Sequence, residues 1–217
     1  MLKVSDRWHA QNGDLVTSTN ERGVGSTTSQ QASTGSASSH DGAFPSRAFH
    51  YVAGALRLSL GWVFLWAFLD KTFALGFGTG RDAETGVVTR FGDAAWINGG
   101  SPTLGFLKFG SDGPLASFYQ SFAGAAWANW LFMIGLLGIG LALMLGVAMR
   151  IATVSGVAMM VLMWSAVLPP PNNPFMDDHI IYALTLVALL LAGAGATLGL
   201  GQAWNRLGIV QRHSFLK

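Results

Sequence analysis

The stretch Pro169-Pro-Pro-Asn-Asn-Pro-Phe-Met-Asp-Asp-His-Ile-Ile-Tyr182 decides how the rest of the chain is read. Residues 151–168 before it carry no charged side chain, and neither do residues 180–200 after it. Proline lacks an N–H and its ring clashes with the preceding turn, so three in succession stop a helix. The chain should then turn on Asn172-Asn173-Pro174 and place Asp177, Asp178 and His179 at the mouth of the next apolar run. Charges crowded beside hydrocarbon are costly, so they are usually paired and often functional. The chemistry of this protein is expected beside this loop.

Both flanks of the loop are near the ~20 residues that a helix needs to cross the hydrocarbon of a bilayer. Two further apolar runs precede them, residues 50–77, which carry Arg57, Asp70 and Lys71, and residues 130–149. Hydrophobic residues make up 51% of the chain and charged residues only 11%, against about 25% charged in soluble domains. The expected fold class is therefore all-α integral membrane, a four-transmembrane-helix bundle. The second and third spans are separated by little more than Arg150 and should form a tight hairpin. Small residues at four-residue spacing (Gly138, Ala142 and Gly146, then Ala188, Ala192 and Ala196, with Gly195 and Gly199 one step round) predict close helix contacts.

The remaining segments follow from composition. Residues 1–47 are rich in Ser, Thr, Gly and Gln; too little apolar surface predicts a tail that is disordered alone. It has no h-region and does not read as a cleaved signal peptide. A tail of this kind orders by wrapping across a partner, which makes the chain a candidate peripheral subunit of a larger assembly. Residues 48–205 form the membrane domain, and residues 206–217 a second tail. The loop 72–129 is too long and apolar for a linker. Ser101-Pro102 predicts a helix start, and a second short helix should begin at Pro114, both lying at the interface. A short hairpin through Thr85 to Thr89 is a weaker signal.

Nine of the 13 Lys and Arg residues fall on the side shared by both termini and Arg150. By the positive-inside rule the termini are cytoplasmic and the long loop lies outside, in the plasma (inner) membrane of a prokaryote. The basic residues form no patch, so nucleic acid is not an expected partner; the lipid bilayer is, together with other membrane subunits. The chain has no cysteine, which excludes disulfides, thiol catalysis, iron–sulfur clusters and haem attached through C-x-x-C-H.

From Arg57 to Asp70 is thirteen residues, or roughly 20 Å of helix, less than the hydrocarbon thickness. Arg57 is expected to snorkel to the headgroups. Asp70 and Lys71 fall at the depth of Asp177, Asp178 and His179, so two charged groups of the first helix should meet three titratable groups of the fourth. One reading is structural: Asp177 or Asp178 caps the fourth helix and Lys71 neutralises an acid. The other is chemical, with the carboxylates as proton acceptors, His179 titrating near neutrality and Lys71 contacting an anion or a carbonyl. Trp62, Trp66, Trp164 and Tyr182 either pack or wall this site with flat apolar surface suited to a quinone ring. Bis-histidine haem is disfavoured because His50 and His179 lie at opposite ends. Asp70, Asp177, Asp178 and His179 are acceptable metal ligands by type but lack a spacing signature, so no metal is expected.

Four stretches resemble the DoxX/DoxD family of four-helix membrane proteins. They are Arg57-Leu-Ser-Leu-Gly-Trp-Val-Phe-Leu-Trp-Ala-Phe-Leu-Asp-Lys71, Ala95-Trp-Ile-Asn-Gly-Gly-Ser-Pro-Thr-Leu-Gly-Phe-Leu107, Trp130-Leu-Phe-Met-Ile-Gly135 and Asn173-Pro-Phe-Met-Asp-Asp-His-Ile-Ile-Tyr182. DoxD-type members are described as the membrane subunit of thiosulfate:quinone oxidoreductase, working with a second subunit, DoxA; this chain contains no DoxA-like region. The resemblance implies a quinone-linked oxidoreductase subunit. The alternative is a non-enzymatic accessory subunit packed against a larger membrane complex through its Gly/Ala faces and tail.

Overall fold

A computed structural model describes residues 46–217. Nearly all of the N-terminal tail, and with it the expectation that the tail is disordered or held by a partner, lies outside these residues. Helix α1 (Arg47–Phe73) begins where the Ser46 hydroxyl accepts the Phe49 N–H at 3.3 Å. It runs 27 residues, about 40 Å at the usual rise, and stops at Ala74, whose left-handed backbone turns the chain away.

The following loop holds two short helices, α2 (Leu104–Phe109) and α3 (Ala116–Gln120). The expected hairpin reduces to a single antiparallel bridge between Arg81 and Val88. Within it Asp82 accepts the N–H and the hydroxyl of Thr85, both at 2.7 Å. These two bonds, the backbone one first, hold the Asp82 carboxyl below the usual carboxylate range. Helix α2 starts at Leu104 rather than at Pro102, and no side chain caps it. Ser101 is used elsewhere: its hydroxyl donates to Asn129 Oδ1 at 3.0 Å, joined by the Thr103 hydroxyl at 2.7 Å and the Thr103 N–H at 3.1 Å. One buried amide thus pins the loop to the next helix.

That helix is α4 (Ala126–Leu145); α5 (Met149–Ala166) follows after a turn through Gly146 (φ 73°) and Ala148 (φ 48°). The prolines stop α5 as expected, and Asn173 Oδ1 accepts the N–H groups of Phe175 and Met176, both at 3.0 Å, to shape the turn into α6 (Asp178–Leu191). Among the described residues there is no strand, and three helices, α1, α4 and α5, are long and apolar enough to cross a membrane. Their outward side chains are apolar, Val52, Leu131, Ile134 and Val154 each being about two-thirds exposed. A band of this kind belongs against lipid, since water would make it an association surface.

The fourth apolar run is not one helix. Helix α6 has 14 residues; Gly193 (φ 61°) then breaks it, and the chain continues irregularly to α7 (Gly201–Asn205) and α8 (Gly208–Arg212). The small-residue face expected along residues 188–199 is therefore not a helix face. Nor does Arg57 snorkel. It is fully buried, and its guanidinium donates to the carbonyl groups of Leu143, Met144, Thr197 and Leu198. The first two belong to the end of α4 and the last two to the broken segment. Backbone that leaves a helix inside an apolar body must find other donors, and Arg57 supplies them. Residues 206–217, expected as a tail, instead fold back across this end: Trp204 Nε1 donates to the Leu216 carbonyl at 2.6 Å, and the Arg150 N–H to that of Lys217 at 2.9 Å.

Close contact between α1 and α4 runs through glycines outside the expected stripe. A Cβ on Gly140 would lie 2.8 Å from the Leu65 nitrogen, and one on Gly61 would lie 2.9 Å from Leu143 Cβ. Gly138, which belonged to the expected stripe, has nothing within 4 Å of its Cβ position.

Two predictions follow from this packing. Gly140→Ala drives a methyl into the backbone of α1 and should destabilise the protein by about 1–3 kcal/mol. Gly138→Ala should be neutral or slightly stabilising; equal unfolding midpoints of the two variants in detergent would contradict this packing. Replacing Arg57 by Ala strands four buried carbonyls and should cost at least about 2 kcal/mol. Arg57→Lys should recover only part of that, because an ammonium is a point donor and not a planar fork. Thermal unfolding in one detergent ranks the three proteins, and a wild-type midpoint for Arg57→Ala would refute the pinning role.

Candidate functional site

The helical repeat sorts the second half of α1 into stripes. Residues 62, 66 and 70 share one line, and 63, 67 and 71 the next, because positions four apart stack on a helix surface. Val63, Ala67 and Lys71 lie between two hollows and line both. On one side is a cleft of about 460 Å³ with Trp62, Trp66, Asp70, Phe77 and Gly78 in its walls. On the other is a partly open cavity of about 250 Å³ lined by helices α1, α2, α4, α5 and α6. Its apolar wall includes Phe64, Phe106, Phe132, Met160 and Met163, and its polar groups are Lys71, Asp178, His179 and Tyr182.

Lys71 is thus brought together with Asp178, His179 and Tyr182, as the shared depth of the two helix ends predicts. Its ammonium forms no ion pair among the described residues; the one ion pair there joins Asp177 and His179. Asp70 is not part of the group. It is buried, its carboxylate accepts the N–H of Phe77 at 3.1 Å and of Gly78 at 2.8 Å, and it closes the loop that follows its own helix. Trp66 stands in the cleft, edge-on to Phe77 at 5.1 Å between ring centres. Trp164 lines neither hollow; its indole N–H donates to the Phe175 carbonyl at 2.8 Å and fastens the proline-rich loop.

Asp177 takes the capping role that the structural reading gave to Asp177 or Asp178. As the N-cap of α6 its Oδ1 accepts the N–H of His179 at 3.1 Å and of Ile180 at 3.3 Å. Its Oδ2 lies 2.7 Å from His179 Nδ1. A carboxylate on Nδ1 selects the tautomer that carries its proton there, leaving Nε2 as the nitrogen that can take a proton from a ligand. Asp178, one residue on, is exposed and faces the same cavity. The polar end therefore offers a lysine amine, an oriented imidazole, a phenol and a carboxylate above an apolar chamber. That set can bind a carbonyl or phenolic oxygen and exchange protons with it.

Among the described residues, no three His, Asp or Glu side chains converge as metal ligands, and Asp70, turned into its own loop, could not join such a group. Phe106, Phe132, Met160 and Met163 were not legible as site residues. They come from three separate helices, α2, α4 and α5, and although Met160 and Met163 share a helix face, no spacing in the sequence marks the three helices as neighbours.

The Asp177–His179 contact generates a prediction that needs no ligand. Side-chain nitrogen NMR of neutral His179 should report the Nδ1–H tautomer in the wild type and a mixture in Asp177→Ala. That variant also loses the cap, at about 1 kcal/mol of stability. An Nε2–H imidazole in the wild type would rule out the arrangement.

Compared with family models, with curated proteins and with solved structures, the chain has no match.

Proposed function

We propose that this chain is the membrane subunit of a quinone-linked oxidoreductase, of the DoxX/DoxD kind that its sequence resembles, and that the quinone ring occupies the cavity beneath Lys71 and His179. In this reading α6 and the irregular residues 192–200 complete a fourth crossing. Helix α6 alone covers roughly 21 Å, and Arg57 makes the rest tolerable in hydrocarbon by satisfying its carbonyls. The charge bias puts both termini in the cytoplasm of a prokaryote and the cavity at the outer face of the plasma membrane.

The observation that carries the reading is the cavity's composition: aromatic and thioether walls closed at one end by Lys71, His179 and Tyr182. A quinone is a flat apolar ring with two acceptor oxygens, and it takes up two protons with two electrons. Lys71 and Tyr182 suit the oxygens as donors, while His179, once it has taken up a proton from solvent at Nε2, suits proton delivery. The electrons come from a partner's redox centre. Val63, Ala67 and Lys71 also border the Trp62–Trp66 cleft, which gives a lipid-soluble molecule a lateral approach. Thiosulfate, a dianion, fits this end less well, because the cavity offers a single lysine beside the Asp178 carboxylate and Arg81 is engaged by the carbonyls of Gly76 and Gly86.

The test is direct binding of a decyl-substituted benzoquinone to the purified chain in nanodiscs, followed by tryptophan quenching. Saturable binding is expected, weakened about tenfold by Lys71→Met and by Tyr182→Phe, the effect of one lost hydrogen bond each. Ala67→Trp should abolish it by filling the cavity wall. Absence of saturable binding would sink the reading and favour the accessory-subunit alternative, particularly if deleting the chain disperses a complex without loss of turnover.

A further inference from the structure

The end of the molecule opposite the cavity has an unusual charge pattern. Every Asp and Glu among the described residues lies at positions 70–112 or at 177–178, and none occurs in 113–176 or 179–217. Among the described residues the Arg57 end therefore carries no acidic side chain, while Arg150, Arg206, Arg212 and Lys217 are exposed there. The C-terminal segment that carries three of them is folded. Val210 is fully buried beneath it, the Trp204 indole donates to the Leu216 carbonyl, and Arg150 Nη1 donates to that of Ser214 at 2.8 Å.

Between these cations stand apolar side chains turned outward: Leu207, Ile209 and Phe215 are 46%, 62% and 57% exposed. Cations alone would suit water or an acidic protein. Cations interleaved with exposed Leu, Ile and Phe, with a tryptophan at the base, match the boundary between headgroups and acyl chains. The segment packs against the start of α5, a helix apolar enough to cross the membrane, so the adjoining phase is the bilayer.

We propose that residues 204–217 form a collar in the membrane interface that binds anionic phospholipid headgroups through Arg206, Arg212 and Lys217, with Arg150 at its edge. The apolar side chains set the depth of the collar, and since none of the described carboxylates lies at this end, the lipid phosphate supplies the counter-charge.

The experiment uses the full chain in nanodiscs of phosphatidylcholine with and without phosphatidylglycerol, reading the unfolding midpoint. Phosphatidylglycerol should raise the midpoint by several degrees at low salt, and high salt should remove the gain. Replacing Arg206, Arg212 and Lys217 together by Gln should abolish the gain while leaving the midpoint in phosphatidylcholine unchanged. The variant with Lys at positions 206 and 212 should keep it. The proposal is overturned by a wild type indifferent to phosphatidylglycerol, or by an undiminished gain in the Gln variant. It is equally overturned if inorganic phosphate in phosphatidylcholine discs gives the same gain, which would mark a site for free phosphate.

Discussion

The fold turns on the bond between one guanidinium and four carbonyls. Arg57 lies about two-fifths of the way along α1, fully buried, with no carboxylate of the described residues paired to it. A buried charge without a counter-ion is costly, so it persists only where its donors are needed. Here they are needed by two pieces of backbone that leave helical geometry together, the end of α4 and residues 197–198. The glycines around it belong to the same constraint. A Cβ on Gly199 would stand 2.9 Å from Nη2, and one on Gly146 would stand 3.0 Å from Nη1. Larger residues there would expel the guanidinium, and the carbonyls would lose their donors.

Once that end is tied, the opposite end is placed. Helices α1 and α4 approach through Gly61 and Gly140, which brings the last turn of α1 to the level of the first turn of α6. Lys71 then projects between two hollows and not into open solvent. Of the described acids near it, Asp70 is engaged by backbone N–H groups and Asp177 by the cap and the imidazole, while Asp178 lines the same cavity. An unpaired ammonium beside an oriented histidine is the arrangement that a carbonyl-bearing ligand would complete.

The two ends differ in chemistry as well as in charge. One keeps all the described carboxylates and holds the cavity. The other, among the described residues, has cations without acids and carries exposed apolar side chains among them. A single chain thus presents a ligand-sized chamber at one end and, in our proposal, a lipid-binding collar at the other.

The sequence alone determined the helical, membrane-type character, because composition and the length of uncharged runs depend only on local order. It also placed the stop at Pro169, the turn at Asn172-Asn173-Pro174 and a capping acid at Asp177 or Asp178, all of which act within a few residues of themselves. It assigned Asp70, Lys71, Asp177, Asp178 and His179 to one level, since helix rise converts residue number into depth. Tertiary structure decided what depth alone leaves open, namely rotation about each helix axis and the partners of long side chains. Rotation turned Asp70 into its own loop, put Trp66 in the cleft, and left Trp164 fastening the proline-rich loop. Partnering drew Arg57 inward, diverted Ser101 from a cap to Asn129, and broke the fourth apolar run at Gly193. Those outcomes rest on contacts between residues up to 141 positions apart, where no local propensity acts and only packing chooses.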